Sequence, residues 1–422
     1  MTTTPALIAR ISMTGTGMGP PARQDQRGPE HAFAHPCAVD ADVTGAVRAV
    51  LADLLARRVA AAEAVDPLFA RDLAARVARF THDGGKLARP QLMWWALRAC
   101  GGGEHPQTAA ALRLGAALEL IQTCALVHDD VMDAAPVRRG RPALHADVTA
   151  QYADAAPGVR GVRLGEATAI LAGDLALAWA DDVVAETEPA PGTARRVREL
   201  WSGLRMEMVA GQYLDVHGEA TSARALARAV RAACLKSALY SVERPLALGA
   251  ALAGADAVTT RALCSAGRCV GLAFQLRDDL LDAFGDPRAT GKPAGGDIRS
   301  GKPTCLAAVA QARAEAAGDR RALGVLRSTL GRSDASDAEL AAVREVFTAT
   351  GARDAVEARA ARLVSRGLGH LDAVPLDPRG AVPLRACLSR AAGPPPAVPD
   401  DDGSDPARAA LHVTASDEGT HR

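Results

Sequence analysis

The sequence predicts an all-α protein, and three observations lead to this prediction. Aromatic residues are only 3% of the 422 residues while hydrophobic residues are 48%, so alanine, leucine and valine must build the core. Alanine and leucine favour helix. Apolar residues also recur at three- and four-residue steps, as in Val50, Leu51, Leu54, Leu55 and Val59, and no strand-like alternation stands out.

Composition divides the chain into three parts. Residues 1–46 are rich in Thr, Gly, Pro and Arg without periodicity, and we expect a disordered segment there. Residues 47–372 carry the helical pattern and are expected to form one catalytic domain. Residues 373–422 include runs of three prolines and three aspartates, and we expect a mostly disordered tail.

The helical elements follow from periodicity and from the breaks between them. Gly101-Gly102-Gly103 ends one helix, and a Gly-, Ala- and Arg-rich stretch at 150–163 is expected to be a loop. The predicted helices cover about 47–66, 67–79, 91–99, 108–132, 165–184, 197–216, 267–284 and several segments within 306–371.

Charge, cysteine usage and hydropathy exclude several classes of protein. The formal net charge is +0, whereas nucleic-acid binding needs a basic surface. The eight cysteines form no Cys-x-x-Cys pair, which indicates reduced thiols in a cytoplasmic protein. The first thirty residues lack a compact apolar segment, so no secretory signal is expected. Apolar runs such as 246–255 fall short of the ~20 residues of a spanning helix.

An aspartate cluster directly follows the apolar run 118–127 and forms the first candidate site. Asp129 and Asp133 are four residues apart and would project from one helix face, with Asp130 to one side. Like charges at this spacing weaken a helix unless a cation lies between them. Mg²⁺ suits such oxygen ligands and usually takes one or two carboxylates, with water and phosphate completing its shell.

Basic residues follow this cluster closely, in the segment Arg138-Arg139-Gly140-Arg141-Pro142. Guanidinium groups match phosphate oxygens in bidentate geometry. Carboxylates followed by arginines therefore suggest a diphosphate held through Mg²⁺. The alternative is a solvated acidic helix end followed by a basic loop.

A second copy of the motif decides between these interpretations. Asp278, Asp279 and Asp282 repeat the Asp-Asp-x-x-Asp spacing, again after an apolar stretch. Two helices that present such faces to each other would enclose a cavity for several metal ions. With this pair of motifs the chain resembles the trans-isoprenyl diphosphate synthases, also called polyprenyl synthetases, over about residues 48–371.

The resemblance implies an isoprenoid-synthase-type helical bundle around a central cavity, and a prenyltransferase. It implies that Asp129, Asp133 and Asp278 hold Mg²⁺, with three ions per site. The full catalytic set is then Asp129, Asp130, Asp133, Asp278, Asp279, Asp282 and Lys236. The implied substrates are isopentenyl diphosphate and an allylic prenyl diphosphate, and the implied assembly is a homodimer.

The resemblance also assigns substrate-binding residues. The segment Gly84-Gly85-Lys86-Leu87-Ala88-Arg89 is similar to the family segment that binds isopentenyl diphosphate, although Leu87 stands where many members have Arg. The residues expected to anchor this substrate are Lys86, Arg89, Gln122 and Arg139. The residues expected near the allylic diphosphate are Arg138, Gln212, Asp215, Lys236, Ser237, Gln275, Lys292 and Lys302.

Product length is expected to depend on side chains that precede the first motif. In members that stop at farnesyl, bulky aromatic residues commonly stand four and five residues before the first Asp. Here these positions are Ala125 and Cys124, and Ile121 lies about one helical turn, ~5.4 Å, further. Because Ala125 and Cys124 are small, we expect geranylgeranyl diphosphate as the product.

Other functions remain as alternatives. A farnesyl or a longer-chain polyprenyl diphosphate synthase would differ only in product length. A class I terpene cyclase would carry a second motif with Asn or Asp, Ser or Thr, and Glu, whereas this sequence contains no Asn at all. A catalytically silent subunit would tend to lack one aspartate cluster, and both are present here.

Overall fold

A computed structural model describes residues 35–221, 226–286 and 294–392, and most of them lie in helices. The first helices in chain order are α1 (Pro36–Ala41), α2 (Val43–Val65), α3 (67–82, with a π-helical turn at Ala70–Ala74), α4 (Ala88–Ala99) and α5 (His105–Met132). A two-stranded hairpin of β1 (Val137–Arg138) and β2 (Arg141–Pro142) follows α5.

The remaining helices build the rest of the bundle. They are α6 (Leu144–Gln151), α7 (Val159–Glu186), α8 (Pro191–Ala220), α9 (226–253, π-helical at Cys234–Glu243) and α10 (Ala257–Phe284). The C-terminal helices are α11 (Gly296–Ser300), α12 (Cys305–Ala316), α13 (Arg320–Thr329), α14 (Asp337–Ala349), α15 (Ala352–Asp372) and α16 (Pro378–Ala392).

Helix α5 lies at the centre of the larger hydrophobic core. It packs along α7, whose inner face carries small residues, so the two backbones come close. A Cβ atom on Gly173 of α7 would lie 2.1 Å from Nε2 of His128, which therefore fits only over glycine. Helix α5 is long and apolar enough to cross a membrane, but 78% of its apolar window is buried within the protein. It is thus the core helix that presents the first aspartate motif.

Helix α10 joins the two hydrophobic cores and carries the second motif. Its first half, including Val270, packs in the core around α5, and Leu276 and Leu280 pack in a second core built by α12 to α15. A Cβ on Gly271 would lie 2.6 Å from Cα of Ala238, so α9 and α10 approach closely at this point. The end of α10 is thereby fixed relative to α9.

The helical domain extends beyond both predicted ends, so the boundaries at residues 46 and 373 need correction. At the N-terminus, Asp40 of α1 accepts hydrogen bonds from Trp94 Nε1 at 2.9 Å and from Arg98 Nη2 at 2.9 Å. At the C-terminus, α16 packs on α4, and Gly380 allows this because a Cβ there would lie 2.0 Å from the Ala99 nitrogen. The rest of the two predicted tails lies outside the described residues.

Two local features also differ from the sequence-based expectation. The hairpin pairs Val137 with Pro142, in a segment for which no strand was predicted. The expected loop at 150–163 is shorter, because α6 continues to Gln151 and α7 begins at Val159. Strands of two residues are too short to show alternation in a sequence.

Candidate active site

The first motif lies on the last turn of α5, and its aspartates point in two directions. Asp129 is 17% exposed at the side chain, and the exposed Asp133 lies one turn further on the same side of the helix. Asp130 is 0% exposed and turns into the protein. Asp130 therefore lies on a different side of the helix from Asp129 and Asp133.

Asp129 is the point at which cationic and amide groups from three elements meet. Its Oδ1 accepts hydrogen bonds from Lys236 Nζ at 3.0 Å and from Gln212 Nε2 at 2.9 Å, and its Oδ2 accepts one from Arg138 Nη2 at 3.3 Å. Burial alone would raise the pKa of Asp129, but Lys236, with help from Lys302 and Arg138, holds it below its ordinary value. Asp129 is thus kept ionised.

Asp130 fixes the arginine that follows it. Its Oδ1 accepts a hydrogen bond from Arg138 Nε at 2.7 Å, while its buried Oδ2 has no hydrogen-bond partner among the described residues. Burial raises the pKa of Asp130, against the opposing effect of Arg138. Because the hairpin turns back at this point, the same guanidinium reaches both Asp130 and Asp129.

The second motif shows a similar division of directions on α10. Asp278 is exposed, whereas Asp279 is 5% exposed and accepts hydrogen bonds from Gln275 Nε2 at 2.9 Å and from the Cys305 backbone at 3.1 Å. Burial raises the pKa of Asp279 to about 6. Asp282 Oδ2 accepts a hydrogen bond from the Asp297 backbone at 2.9 Å, which ties α11 to the end of α10.

A chain of ion pairs connects the two motifs. Lys236 Nζ lies 2.7 Å from Asp215 Oδ2, and Lys302 Nζ lies 3.5 Å from the same oxygen and 4.0 Å from Asp297 Oδ1. Burial would lower the pKa of Lys302, but Asp297, Asp215 and Asp129 hold it well above its ordinary value. The path runs from Asp129 through Lys236, Asp215 and Lys302 to Asp297, whose backbone N–H donates to Asp282, so it connects the first motif to the second.

Asp297 is a site residue that the sequence-based prediction missed. Burial, partly opposed by Lys302, raises the pKa of Asp297 to about 8. The negative charges of Asp282, Asp279 and Asp278 act in the same direction. The signal that could have identified Asp297 is an acidic residue directly after Gly295-Gly296, close to the second motif. Lys292, which was predicted to lie near the allylic diphosphate, is outside the described residues.

Lys236 is positioned by the π-helical part of α9. A Cβ on Gly211 of α8 would lie 2.6 Å from the Lys236 backbone nitrogen, so only glycine allows this approach. The neighbouring Ser237 Oγ donates a hydrogen bond to Gln275 Oε1, which links α9 to the second-motif helix. The Lys236 ammonium therefore reaches Asp129 and Asp215 at the same time.

Two of the predicted isopentenyl diphosphate residues, Arg89 and Gln122, are linked through Tyr240. Arg89 Nη2 donates to Ser241 Oγ at 2.7 Å, and the guanidinium lies 4.6 Å from the centre of the Tyr240 ring. The Tyr240 hydroxyl donates to Gln122 Oε1 at 2.9 Å. Arg139, at the hairpin turn, lies over the Phe80 ring at 5.3 Å, and Lys86 is exposed. Leu87 is 3% exposed and packs into the core, as expected for a residue facing elsewhere.

The three chain-length positions differ in environment. Ala125 is half-buried and lies on the Asp129 side of α5, whereas Ile121 is 0% exposed. Cys124 is 2% exposed, and its Sγ lies 3.7 Å from His128 Nδ1 on the side that packs against α7. Ala125 is therefore the most direct of the three positions for contact with a ligand near Asp129.

The carboxylate groups suit a magnesium site that is completed by a ligand. Within the described residues, no three His, Cys, Asp or Glu side chains are close enough to hold a metal ion by themselves. Burial, followed by the charge of Asp129, raises the pKa of Asp133, as expected where carboxylates crowd together. Mg²⁺ commonly takes one or two carboxylates and fills its shell with water and phosphate oxygens. The donor set therefore fits Mg²⁺ together with a diphosphate.

Comparison with known proteins places this geometry in a family. The model of the polyprenyl synthetase family matches residues 71–346. The (2E,6E)-farnesyl diphosphate synthase of Mycobacterium tuberculosis is 35% identical over 301 residues, which are 71% of this chain and 77% of that protein. The geranylgeranyl diphosphate synthase of Methanosarcina mazei is 30% identical over 290 residues, which are 68% of this chain and 80% of that protein.

Solved structures agree with these sequence relatives. A geranylgeranyl pyrophosphate synthase from Corynebacterium glutamicum, complexed with isoprenyl diphosphate and magnesium, superposes with a TM-score of 0.76 at 36% identity. The match covers 82% of this chain and 98% of that one. A polyprenyl synthase from Caulobacter crescentus, complexed with calcium and isoprenyl diphosphate, superposes with a TM-score of 0.65 at 26% identity. This match covers 86% of this chain and 99% of that one.

The all-α bundle, the two facing aspartate clusters and these relatives define the class of protein: the chain is a prenyltransferase. Within that class it belongs to the polyprenyl synthetase family, whose model covers most of the helical domain. The predicted fold class, family and enzyme class are thereby confirmed.

Proposed function

We propose that the chain condenses isopentenyl diphosphate with an allylic diphosphate and releases an all-trans prenyl diphosphate, geranylgeranyl diphosphate. The observation that carries this proposal is the ion-pair path from Asp129 to Asp297, which is hydrogen-bonded to Asp282, because this path links the two motifs. The named relatives include farnesyl and geranylgeranyl diphosphate synthases, so farnesyl diphosphate is the alternative product.

The allylic diphosphate is proposed to bind between the motifs. Mg²⁺, held by Asp129, Asp133 and Asp278 as three ions, would supply Lewis-acid charge to the leaving diphosphate. Lys236 and Arg138 provide fixed positive charge beside Asp129, where negative charge develops as the allylic carbon–oxygen bond breaks. The bonding electrons leave with the diphosphate, and the apolar wall of the bundle keeps water from the carbocation.

The second substrate is proposed to lie with its alkene towards that carbocation. Lys86, Arg89 and Arg139 would bind its diphosphate, and Gln122, held by the Tyr240 hydroxyl, would border its carbon chain. The alkene electrons form the new carbon–carbon bond, and a proton then leaves to the departed diphosphate. Fixing both substrates in one cavity makes the condensation effectively intramolecular.

Product analysis tests the proposal directly. The purified chain is incubated with isopentenyl diphosphate and dimethylallyl, geranyl or farnesyl diphosphate, with Mg²⁺ or with a chelator, and the products are separated by chromatography. We expect geranylgeranyl diphosphate from each primer and no product with the chelator. Termination at farnesyl would contradict the proposed length, and release of no diphosphate at all would indicate a silent subunit.

Ala125→Phe is expected to shorten the main product to farnesyl diphosphate. The phenyl ring would occupy the space beside Ala125, on the Asp129 side of α5, where the growing chain is proposed to run. Chromatography of the product tests this, with Ala125→Ser as a control that keeps the side chain small. An unchanged product length in Ala125→Phe would contradict the assignment of this position.

We also propose a cytoplasmic homodimer. All eight cysteines are free, as is usual for thiols in a reducing compartment. An apolar stripe runs along one face of α8 at helical spacing, and its members are Met206, Val209, Tyr213 and Val216, exposed by 72%, 62%, 66% and 39%. Contiguous exposed apolar surface of this kind marks an interaction site.

Val209→Glu is expected to convert the dimer to a monomer, because it places a charge at the centre of the α8 stripe. Light scattering measures the mass. Val258→Glu is the matched control, since Val258 is 58% exposed at the start of α10 and lies outside the stripe. A wild-type chain of monomer mass would contradict the proposed assembly.

A further inference from the structure

We propose that Glu119 is a positioning residue for isopentenyl diphosphate: its buried carboxylate is the fixed counter-charge around which the guanidinium groups of Arg48, Arg89 and Arg139 converge. This inference rests on the proposed function, because it takes Arg89 and Arg139 as ligands of that diphosphate. It adds Glu119 and Arg48 to the site.

Glu119 lies on α5 directly behind the glycine-rich loop. It is 5% exposed, and a Cβ added to Gly84 would lie 3.4 Å from its Oε2. The cationic groups whose charges act on its carboxyl are Arg89, Arg139 and Arg48, in decreasing order. Arg48 Nη2 lies 3.4 Å from the Gly85 carbonyl oxygen, so it borders the same loop. The charges of three guanidinium groups from three elements therefore act on one buried carboxylate.

The carboxylate acts at a distance and does not itself occupy the guanidinium N–H groups. Among the described residues, Glu119 forms no direct ion pair with Arg48, Arg89 or Arg139. Three like charges repel one another, and a nearby opposite charge offsets this repulsion most strongly where water is excluded. Arg139 is exposed while Glu119 is buried, so a diphosphate arriving from solvent meets the guanidinium group first.

Two residues in segments that border Glu119 also have an unfavourable backbone conformation. Leu87 has φ 47° and Arg139 has φ 54°, which is the left-handed region that residues with a side chain rarely adopt. Leu87 ends the glycine-rich loop directly before α4, the helix that carries Arg89, and Arg139 lies at the hairpin turn. Such strain is stored where the surrounding structure fixes a functional geometry.

The ionised carboxylate of Glu119 destabilises the folded protein because it is buried, and this distinguishes it from a structural ion pair. Burial raises the pKa of its carboxyl, against the opposing charges of Arg89, Arg139 and Arg48. A carboxyl whose pKa is raised by folding binds its proton more tightly in the folded protein. Its ionised form therefore destabilises the fold as the pH rises above the unfolded pKa. Together with the position of Glu119 behind the Gly84 loop, this cost favours a role at the site.

E119Q is expected to raise the KM for isopentenyl diphosphate roughly tenfold, since small displacements of binding groups have large effects on directional contacts. The KM for the allylic substrate should stay within about twofold, and the Tm at pH 8 should not fall. Titration calorimetry with isopentenyl diphosphate alone should show the same weakening. E119D keeps the negative charge but places it one methylene group closer to the helix backbone. Its KM for isopentenyl diphosphate should lie between the values of E119Q and the wild type.

E243Q is the matched control, because Glu243 is also buried but pairs directly with a guanidinium group. It is 2% exposed and accepts hydrogen bonds from Arg268 Nε at 2.8 Å and Nη2 at 3.2 Å. We expect E243Q to lower the Tm and to leave the KM for isopentenyl diphosphate unchanged. E119Q is thus expected to change the KM for isopentenyl diphosphate without lowering the Tm, and E243Q to lower the Tm without changing that KM.

Two results would overturn the inference alone: an unchanged or lower KM for isopentenyl diphosphate in E119Q, or an equal rise in both KM values together with a fall in Tm. A wild-type chain that does not bind isopentenyl diphosphate would overturn the proposed substrate and this inference together.

Discussion

Asp129→Asn is expected to lower kcat by on the order of 10³-fold while the protein stays folded. Asp129 is the carboxylate at which Lys236, Gln212 and Arg138 converge, and it is the proposed magnesium ligand nearest to Lys236. Asparagine keeps the shape but removes the negative charge that orders these groups and attracts the cation. Diphosphate release at saturating substrate, measured over a range of Mg²⁺ concentrations, provides the test.

Asp130→Asn is the matched control for this prediction. Asp130 is adjacent in sequence but 0% exposed, and its contact with the site is the hydrogen bond from Arg138. We expect a loss of roughly tenfold, since only the orientation of Arg138 is disturbed. Equal losses in the two variants, or an Asp129→Asn protein with more than a tenth of wild-type activity, would contradict the division of roles within the motif.

The features that could be predicted from the sequence depend on residue spacing within a single helix. Aspartates four residues apart share a helix face. The spacing within the motif therefore predicts that Asp129 and Asp133 project together and that Asp130 projects in a different direction. Helix α10 was predictable in the same way, because the apolar stretch before Asp278 has the helical period. The meeting of the two motifs was inferred only from their repetition and from family resemblance.

The features that could not be predicted depend on distant parts of the chain. Glu119 is one polar residue in an apolar run, and nothing local shows that the charges of three distant arginines act on it. The ends of the domain were misjudged because α1 is held by Arg98 and Trp94, and α16 by α4, through contacts far apart in sequence. The position of Lys302 between carboxylates could not be predicted from the local sequence either, since these carboxylates surround it in space.

Lys302→Gln is expected to lower kcat on the order of 10²-fold. Lys302 lies between the motifs, 3.5 Å from Asp215 and 4.0 Å from Asp297, and its charge also acts on Asp129 and Asp133. Glutamine removes the positive charge beside the proposed diphosphate, so the leaving group is stabilised less. Steady-state kinetics at saturating Mg²⁺ and substrates measure this effect.

The same variant should separate catalysis from metal affinity. Loss of the ammonium leaves the carboxylates without their counter-charge, which should destabilise the metal-free protein by about 1.5–3 kcal/mol. Added Mg²⁺ should restore much of the Tm, because the cation then takes over that role, and the half-saturating Mg²⁺ concentration should not rise. Arg299→Gln is the control: Arg299 is in the same segment, but it pairs with Asp337 at 3.5 Å on the outer side, and kcat should stay unchanged. If Lys302→Gln instead kept full kcat, or lost stability that Mg²⁺ did not restore, Lys302 would be an ordinary structural cation and the two motifs would not share one electrostatic site.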